Sequence, residues 1–261
     1  MRTYDDGMLG HFSTSLGDPV AGEHKASRIV HGTPSVPGAR PYQVSFQVNS
    51  KGVWRHICGG TLVTLNKIVT AAHCAVAYPQ LPWRVELGTV VKYDETNPYR
   101  QAINVSSYVV HEDYSPLDNL PNDIAILTLV QNAELSPYVL PAILPVTGED
   151  FLDKPCILSG FGNTNWTSGG SPILRETTSR VIANDDCTNY YQTIPEDPSP
   201  DEHVGDGHIC MFDLSKPAGE RPGVCFGDSG SPALCEGAFN IKYFAGIASW
   251  IHACDASVST S

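Results

Sequence analysis

The stretch Gly227-Asp228-Ser229-Gly230-Ser231-Pro232 packs two glycines, a carboxylate and two hydroxyls into one short turn. Glycine fills positions where φ must be positive, so the run reads at least as a sharp bend. The serine at its centre gains a second meaning if a base lies beside it. A hydroxyl is a weak nucleophile at neutral pH until a neighbour takes its proton. Imidazole suits that task because its pKa lies near the working pH. A carboxylate behind the ring fixes the tautomer and stabilises the imidazolium that forms. Two other stretches offer these groups: Thr70-Ala71-Ala72-His73-Cys74 follows an apolar run, and Asn122-Asp123-Ile124-Ala125-Ile126-Leu127 opens another. Taken singly, each also has a plain reading: one of nine histidines, an aspartate that caps a turn, a glycine bend.

Around these stretches the chain reads as all-β. Short β-rich runs recur at Val44 to Val48, Val85 to Leu87, Ile103 to Val110, Ile124 to Val130, Ile157 to Leu158 and Tyr243 to Ile247, with Pro, Gly, Asn and Asp between them. Asn184 to Tyr191 is a candidate short helix, and Thr193 to Glu202 reads as a Pro- and acid-rich surface loop. A charged fraction of 17%, with 23 Gly and 20 Pro, suits strands and turns better than a helical bundle or a disordered chain. The length of 261 residues allows one or two domains. A net charge of −12 with no Lys/Arg-rich run argues against nucleic acid or an anionic membrane as partner. No apolar run is long enough to span a bilayer.

The eight cysteines are even in number and include no Cys-x-x-Cys pair. That pattern favours disulfides in an oxidising compartment over a structural zinc site. Spacing alone leaves about a hundred pairings open. The sequons at Asn104 and Asn165 agree with secretion. Met1 to Gly7 lacks the apolar core of a signal peptide, so the natural N-terminus is expected to lie upstream. Residues 1–28 carry no periodic pattern and end in Lys25-Ala26-Ser27-Arg28, as a removable polar arm would.

With His73, Asp123 and Ser229 in that order, inside Thr-Ala-Ala-His-Cys and Gly-Asp-Ser-Gly, the chain resembles the chymotrypsin-like serine proteases. The order sets aside the α/β-hydrolase pattern of Ser, Asp, His and the subtilisin pattern of Asp, His, Ser. The resemblance runs from Arg28 to Cys254. It implies two six-stranded antiparallel Greek-key barrels, approximately 29–140 and 141–261, behind an arm of residues 1–28. It also implies the pairings Cys58–Cys74, Cys156–Cys235, Cys187–Cys210 and Cys225–Cys254. His73, Asp123 and Ser229 would form the catalytic triad, with the amides of Gly227 and Ser229 as the oxyanion hole. Arg28-Ile29-Val30-His31-Gly32 is similar to an activation site, where cleavage after Arg28 would free an Ile29 α-amine to pair with Asp228. The implied protein is a secreted, monomeric zymogen. Its partners would be polypeptide substrates, a trypsin-like activating protease and proteinaceous inhibitors, and it would need no cofactor. Thr89 stands where calcium-binding relatives carry a Glu, so no metal is expected.

By the same resemblance Gly223 sits at the base of the specificity pocket, while Ser249-Trp250-Ile251 pairs with the substrate backbone. An uncharged base cannot compensate a buried Lys or Arg. Ile251, where most relatives have Gly, would narrow the pocket mouth as in elastases. Small aliphatic residues are therefore expected before the scissile bond, then medium apolar ones, with an aromatic preference as runner-up. Ser249 would hydrogen-bond Asp123. Only Asp255 to Ser261 follow Cys254, where relatives continue with a further strand and a C-terminal helix, so the second barrel is expected to end early with an open edge. The alternative this raises is a silent homologue that acts by binding, and the retention of all three triad residues stands against it.

Overall fold

The computed structural model describes residues 29–116, 120–165, 168–192, 204–205, 207–212, 216, 221–251 and 259–260. In chain order the strands are β1 Thr33–Pro34, β2 Gln43–Ser50, β3 Val53–Thr64, β4 Lys67–Thr70, β5 Trp83–Leu87, β6 Gln101–Val110 and β7 Ala125–Leu129. There follow β8 Pro155–Gly160, β9 Arg175–Ile182, β10 Cys210–Met211, β11 Pro232–Glu236, β12 Lys242–Ile247 and β13 Ser259–Thr260. Helix α1 spans Ala72–Ala77 and α2 spans Asn184–Tyr191. All strand pairs in the two sheets are antiparallel.

Six strands close the first barrel in the order β2-β3-β4-β7-β6-β5. The second sheet runs β12-β11-β8-β9-β10-β13, with β1 added beside β9. This is the double-barrel plan the sequence led us to expect. Among the described residues β12 and β13 end the second sheet without meeting. Ser259 and Thr260, expected to resemble no strand of the family, pair with Met211 and Cys210.

Strand β2 explains how the barrels come together. Its inward residues Val44, Phe46 and Val48 fill the first core beside Leu62, Val85 and Leu127. Removing a side chain such as Phe46 from water contributes about 2–3 kcal/mol. The alternate residues Gln43, Ser45 and Gln47 are polar yet equally buried, because the other face of β2 is covered as well. Buried polar groups need partners. Gln43 Oε1 accepts from Ser159 Oγ of β8 at 2.7 Å, and Gln43 Nε2 lies 3.5 Å from Ser231 Oγ, just past the candidate nucleophile. The polar face of β2 therefore ties the second barrel and the turn at Ser229 to the first barrel.

Glu86 is 1% exposed and pairs with Arg100 Nη2 at 2.7 Å, while the Tyr93 amide donates to it at 2.9 Å. This ion pair fixes the loop between β5 and β6 onto the barrel. Three disulfides, Cys58–Cys74, Cys156–Cys235 and Cys187–Cys210, follow the pairing implied by the resemblance. The fourth, Cys225–Cys254, falls on Cys254, outside the described residues, as do Arg28 and the arm before it.

Candidate active site

Strand β4 ends at Thr70, and α1 begins two residues later, so His73 lies in the first turn of a helix. First-turn amides have no partner within their helix. The His73 amide instead donates to Asp123 Oδ1 at 2.8 Å. The same carboxylate holds the ring, with His73 Nδ1 2.7 Å from Asp123 Oδ2. Ser249 Oγ donates to that Oδ2 at 2.6 Å. Asp123 sits two residues before β7, and its side chain is 3% exposed against 30% for His73. A buried acid that accepts three hydrogen bonds fixes the imidazole as the Nδ1–H tautomer, leaving Nε2 as the basic atom.

Ser229 heads the tight turn before β11. Gly227 and Gly230 have φ of 87° and 77°, which a side chain would strain. Strand β3 presses against this turn: the Gly59 amide donates to the Ser229 carbonyl at 2.8 Å, and a Cβ on Gly59 would strike Ser231 Oγ. His73 and Ser229 line one cavity of about 260 Å³ with Leu120, Val224, Phe226 and Ile251. Among the described residues no direct hydrogen bond joins Ser229 Oγ to the ring, and His73 Nε2 lies 3.5 Å from Cys74 Sγ. Catalytic hydrogen bonds are often long in unliganded enzymes and tighten on the substrate.

Of the residues expected to bind substrate, Ser249, Trp250 and Ile251 line this cavity. Gly223 does not line it; it is buried and its amide donates to the Val30 carbonyl at 3.3 Å. The sequence reading did not single out Leu120, Val224 and Phe226. For the last two a signal was at hand, since they flank Cys225 directly before the glycine turn.

Asp228 is fully buried, its two oxygens accepting from Gly162 N at 2.7 Å and Cys225 N at 3.0 Å. Burial nevertheless pushes its carboxyl up to about 7, against the opposing pull of those amides and Lys92. His56 abuts the same turn. Its Nε2 meets the Gly227 carbonyl at 3.0 Å and its Nδ1 meets Ser45 Oγ at 2.9 Å. A carbonyl can only accept, so Nε2 carries the proton. Burial drives His56 down to about 3, leaving it neutral.

Cys58, Cys74 and His73 place three ligand-type atoms within 4.8 Å of one another. Both sulfurs are in one disulfide, so neither is the thiolate that a metal needs, and these residues do not fit a metal site.

The Trypsin family model matches residues 29–259. A fibrinolytic enzyme, isozyme C, of Lumbricus rubellus is 33% identical over 226 residues, covering 85% of this chain and 87% of that protein. Chymotrypsin-C of Mus musculus is 33% identical over 231 residues, covering 85% and 78%. Chymotrypsin-C of Bos taurus is 30% identical over 228 residues, covering 86% and 79%. A match across both barrels, joined to this arrangement of strands, shows that the chain belongs to the trypsin family and is a serine endopeptidase.

Proposed function

We propose that this endopeptidase works through Ser229, His73 and Asp123, is made as a secreted zymogen cut after Arg28, and cleaves after small or medium apolar residues. The observation that carries the reading is the two-point grip of Asp123 on His73, steadied by Ser249, beside a cavity that Ser229 also lines. His73 Nε2 takes the Ser229 proton as Oγ bonds to the scissile carbonyl carbon. The amides of Gly227 and Ser229 receive the oxyanion, each such donor contributing about 3–4 kcal/mol to the transition state. The imidazolium then gives its proton to the leaving amine as the C–N bond breaks, leaving an acyl-enzyme. Water repeats the sequence: its proton goes to His73, its oxygen to the carbonyl carbon, and Ser229 regains its hydrogen.

The buried carboxyl of Asp228 supports activation by an amine, because burial without a full counter-charge pushes it up to about 7. Ile29 and Val30 are buried, and Val30 bridges Gly223 near that carboxyl in sequence, as an inserting N-terminus requires. Among the described lining of the cavity His73 is the sole ionisable side chain, and Val224, Ile251 and Ala248 supply apolar surface. An Arg or Lys side chain would find no counter-charge there. That supports an apolar preference and a separate, trypsin-like activator for Arg28. Disulfides support an extracellular site of action. Incubating the chain with trypsin and then profiling a peptide library tests the whole. Cleavage between Arg28 and Ile29, followed by turnover of Ala and Leu peptides above Arg and Lys ones, is expected. Activity that is maximal before the cut, or confined to basic residues, contradicts it.

A further inference from the structure

The loop between β5 and β6 leaves the first barrel and lies against the second. Val91 forms a bridge with Ile173, the Lys92 amide donates to the Pro172 carbonyl at 2.9 Å, and the Leu174 amide donates to Val90 at 2.7 Å. This docking turns the Lys92 side chain inward. Its Nζ donates to the Phe161 carbonyl at 3.4 Å and lies 5.7 Å from the Phe161 ring centroid. The amide of the next residue, Gly162, donates to Asp228 Oδ1. The Phe161 carbonyl and the Gly162 N–H belong to one planar peptide unit. An ammonium thus grips one end of a peptide dipole and a carboxylate grips the other. Each polarises the unit in the same sense, so each hydrogen bond strengthens the other. The fit is close, since a Cβ on Gly162 would run into the Asp228 carboxyl.

We propose that Lys92 is a positioning residue for the hydrolytic reaction. Through the Phe161–Gly162 peptide it gives Asp228 part of the positive charge that the Ile29 α-amine supplies after cleavage, and so keeps the Gly227–Ser229 turn ordered enough for basal reactivity in the uncut chain. The proposal rests on the reading of Asp228 as the partner of that α-amine.

The charged and titratable groups facing Lys92 are Asp228 on the nucleophile turn, Glu86 on β5 and His56 on β3. Glu86 is engaged by Arg100 at 2.7 Å, and His56 stays neutral down to about pH 3. Burial lowers the Lys92 ammonium to about 8 and raises Asp228 to about 7. Above pH 7 the carboxylate is ionised, and as pH rises through 8 the ammonium loses its proton. Reactivity that depends on Lys92 therefore falls on the alkaline side.

The test uses the full chain with Arg28→Gln, which trypsin cannot cut at that bond, and measures the rate at which a fluorophosphonate modifies Ser229. Slow labelling is expected. Adding Lys92→Met lowers that rate about tenfold or more, the low end of what a hydrogen bond to a charged group contributes. Lys92→Arg retains the rate and removes its alkaline decline, because guanidinium stays charged. In the trypsin-cut chain with Arg28 intact, Lys92→Met changes kcat/KM by less than about threefold, since the α-amine now supplies the charge. A general structural defect would lower cut and uncut chains alike. The proposal is overturned if the uncut chain is not labelled, if Lys92→Met leaves its labelling unchanged, or if both forms lose the same factor. A cut chain no more active than the uncut one instead overturns the Ile29–Asp228 reading.

Discussion

Replacing Asp123 with Asn changes one atom at the point where three hydrogen bonds meet. The carboxylate accepts from the His73 amide at 2.8 Å, from His73 Nδ1 at 2.7 Å and from Ser249 Oγ at 2.6 Å. An amide can keep an oxygen towards the His73 N–H only by turning its NH2 group to the ring. Nδ1 must then become an acceptor, which moves the imidazole proton to Nε2, where it blocks the base. With the amide flipped, two N–H donors face each other instead. The imidazolium that forms in the reaction also loses its charged partner, worth about 1.5–3 kcal/mol as a hydrogen bond. Forcing the tautomer accounts for a similar further cost. The sum approaches the about 10⁴-fold fall in kcat, or about 5.5 kcal/mol, that this change causes in the trypsin-like template. Steady-state kinetics of the trypsin-cut variant on an Ala peptide, beside a thermal melt to verify folding, give the answer. A folded variant within about tenfold of the parent kcat, or one changed only in KM, refutes the role assigned to Asp123.

Asp228 carries a pH dependence with a defined sign. Its folded pKa, about 7, lies above the 3.8 of a free carboxyl, so in the uncut chain the folded state holds a proton that the unfolded state has lost. Stability from this group is full below pH 3.8 and declines as pH rises towards 7. The Tm of uncut Asp228→Asn relative to the parent should therefore climb over that interval; a difference independent of pH would refute the uncompensated charge. Ile251 borders the cavity and packs against Val30 and Cys225. Ile251→Gly should shift the kcat/KM ratio of Phe over Ala substrates upward by about tenfold, within the range for a pocket gaining several methylenes of space. An unaltered ratio would mean that Ile251 does not set pocket size.

The fold was legible where β-rich runs stood between turn residues. The runs at Val44 to Val48, Ile103 to Val110 and Tyr243 to Ile247 all lie within strands, and Asn184 to Tyr191 is the helix expected. Strands β3 and β9 escaped notice for physical reasons. The Gly59-Gly60 pair in β3 resembles a turn, yet a Cβ on Gly59 would strike Ser231 in the turn beside Ser229, and one on Gly60 would crowd Ile68 inside the first barrel. Strand β9, Arg-Glu-Thr-Thr-Ser-Arg-Val-Ile, is mostly polar because it borders the Ser35 and Arg40 contacts with Glu176. Of the site, the local motifs around His73, Asp123 and Ser229 stood out. The supports of the turn at Asp228 did not: His56, Lys92 and the Phe161-Gly162 pair come from three separate places in the sequence and converge only through barrel docking. No short-range pattern encodes such a meeting.

In the proposed mechanism Ser229 is a nucleophile driven by His73. Treating the trypsin-cut chain with a fluorophosphonate and mapping the adduct by peptide mass measures this directly. One stoichiometric adduct on Ser229 is expected, abolished in His73→Ala with the fold retained. Labelling at another residue, or labelling of Ser229 at an undiminished rate without His73, would contradict that mechanism.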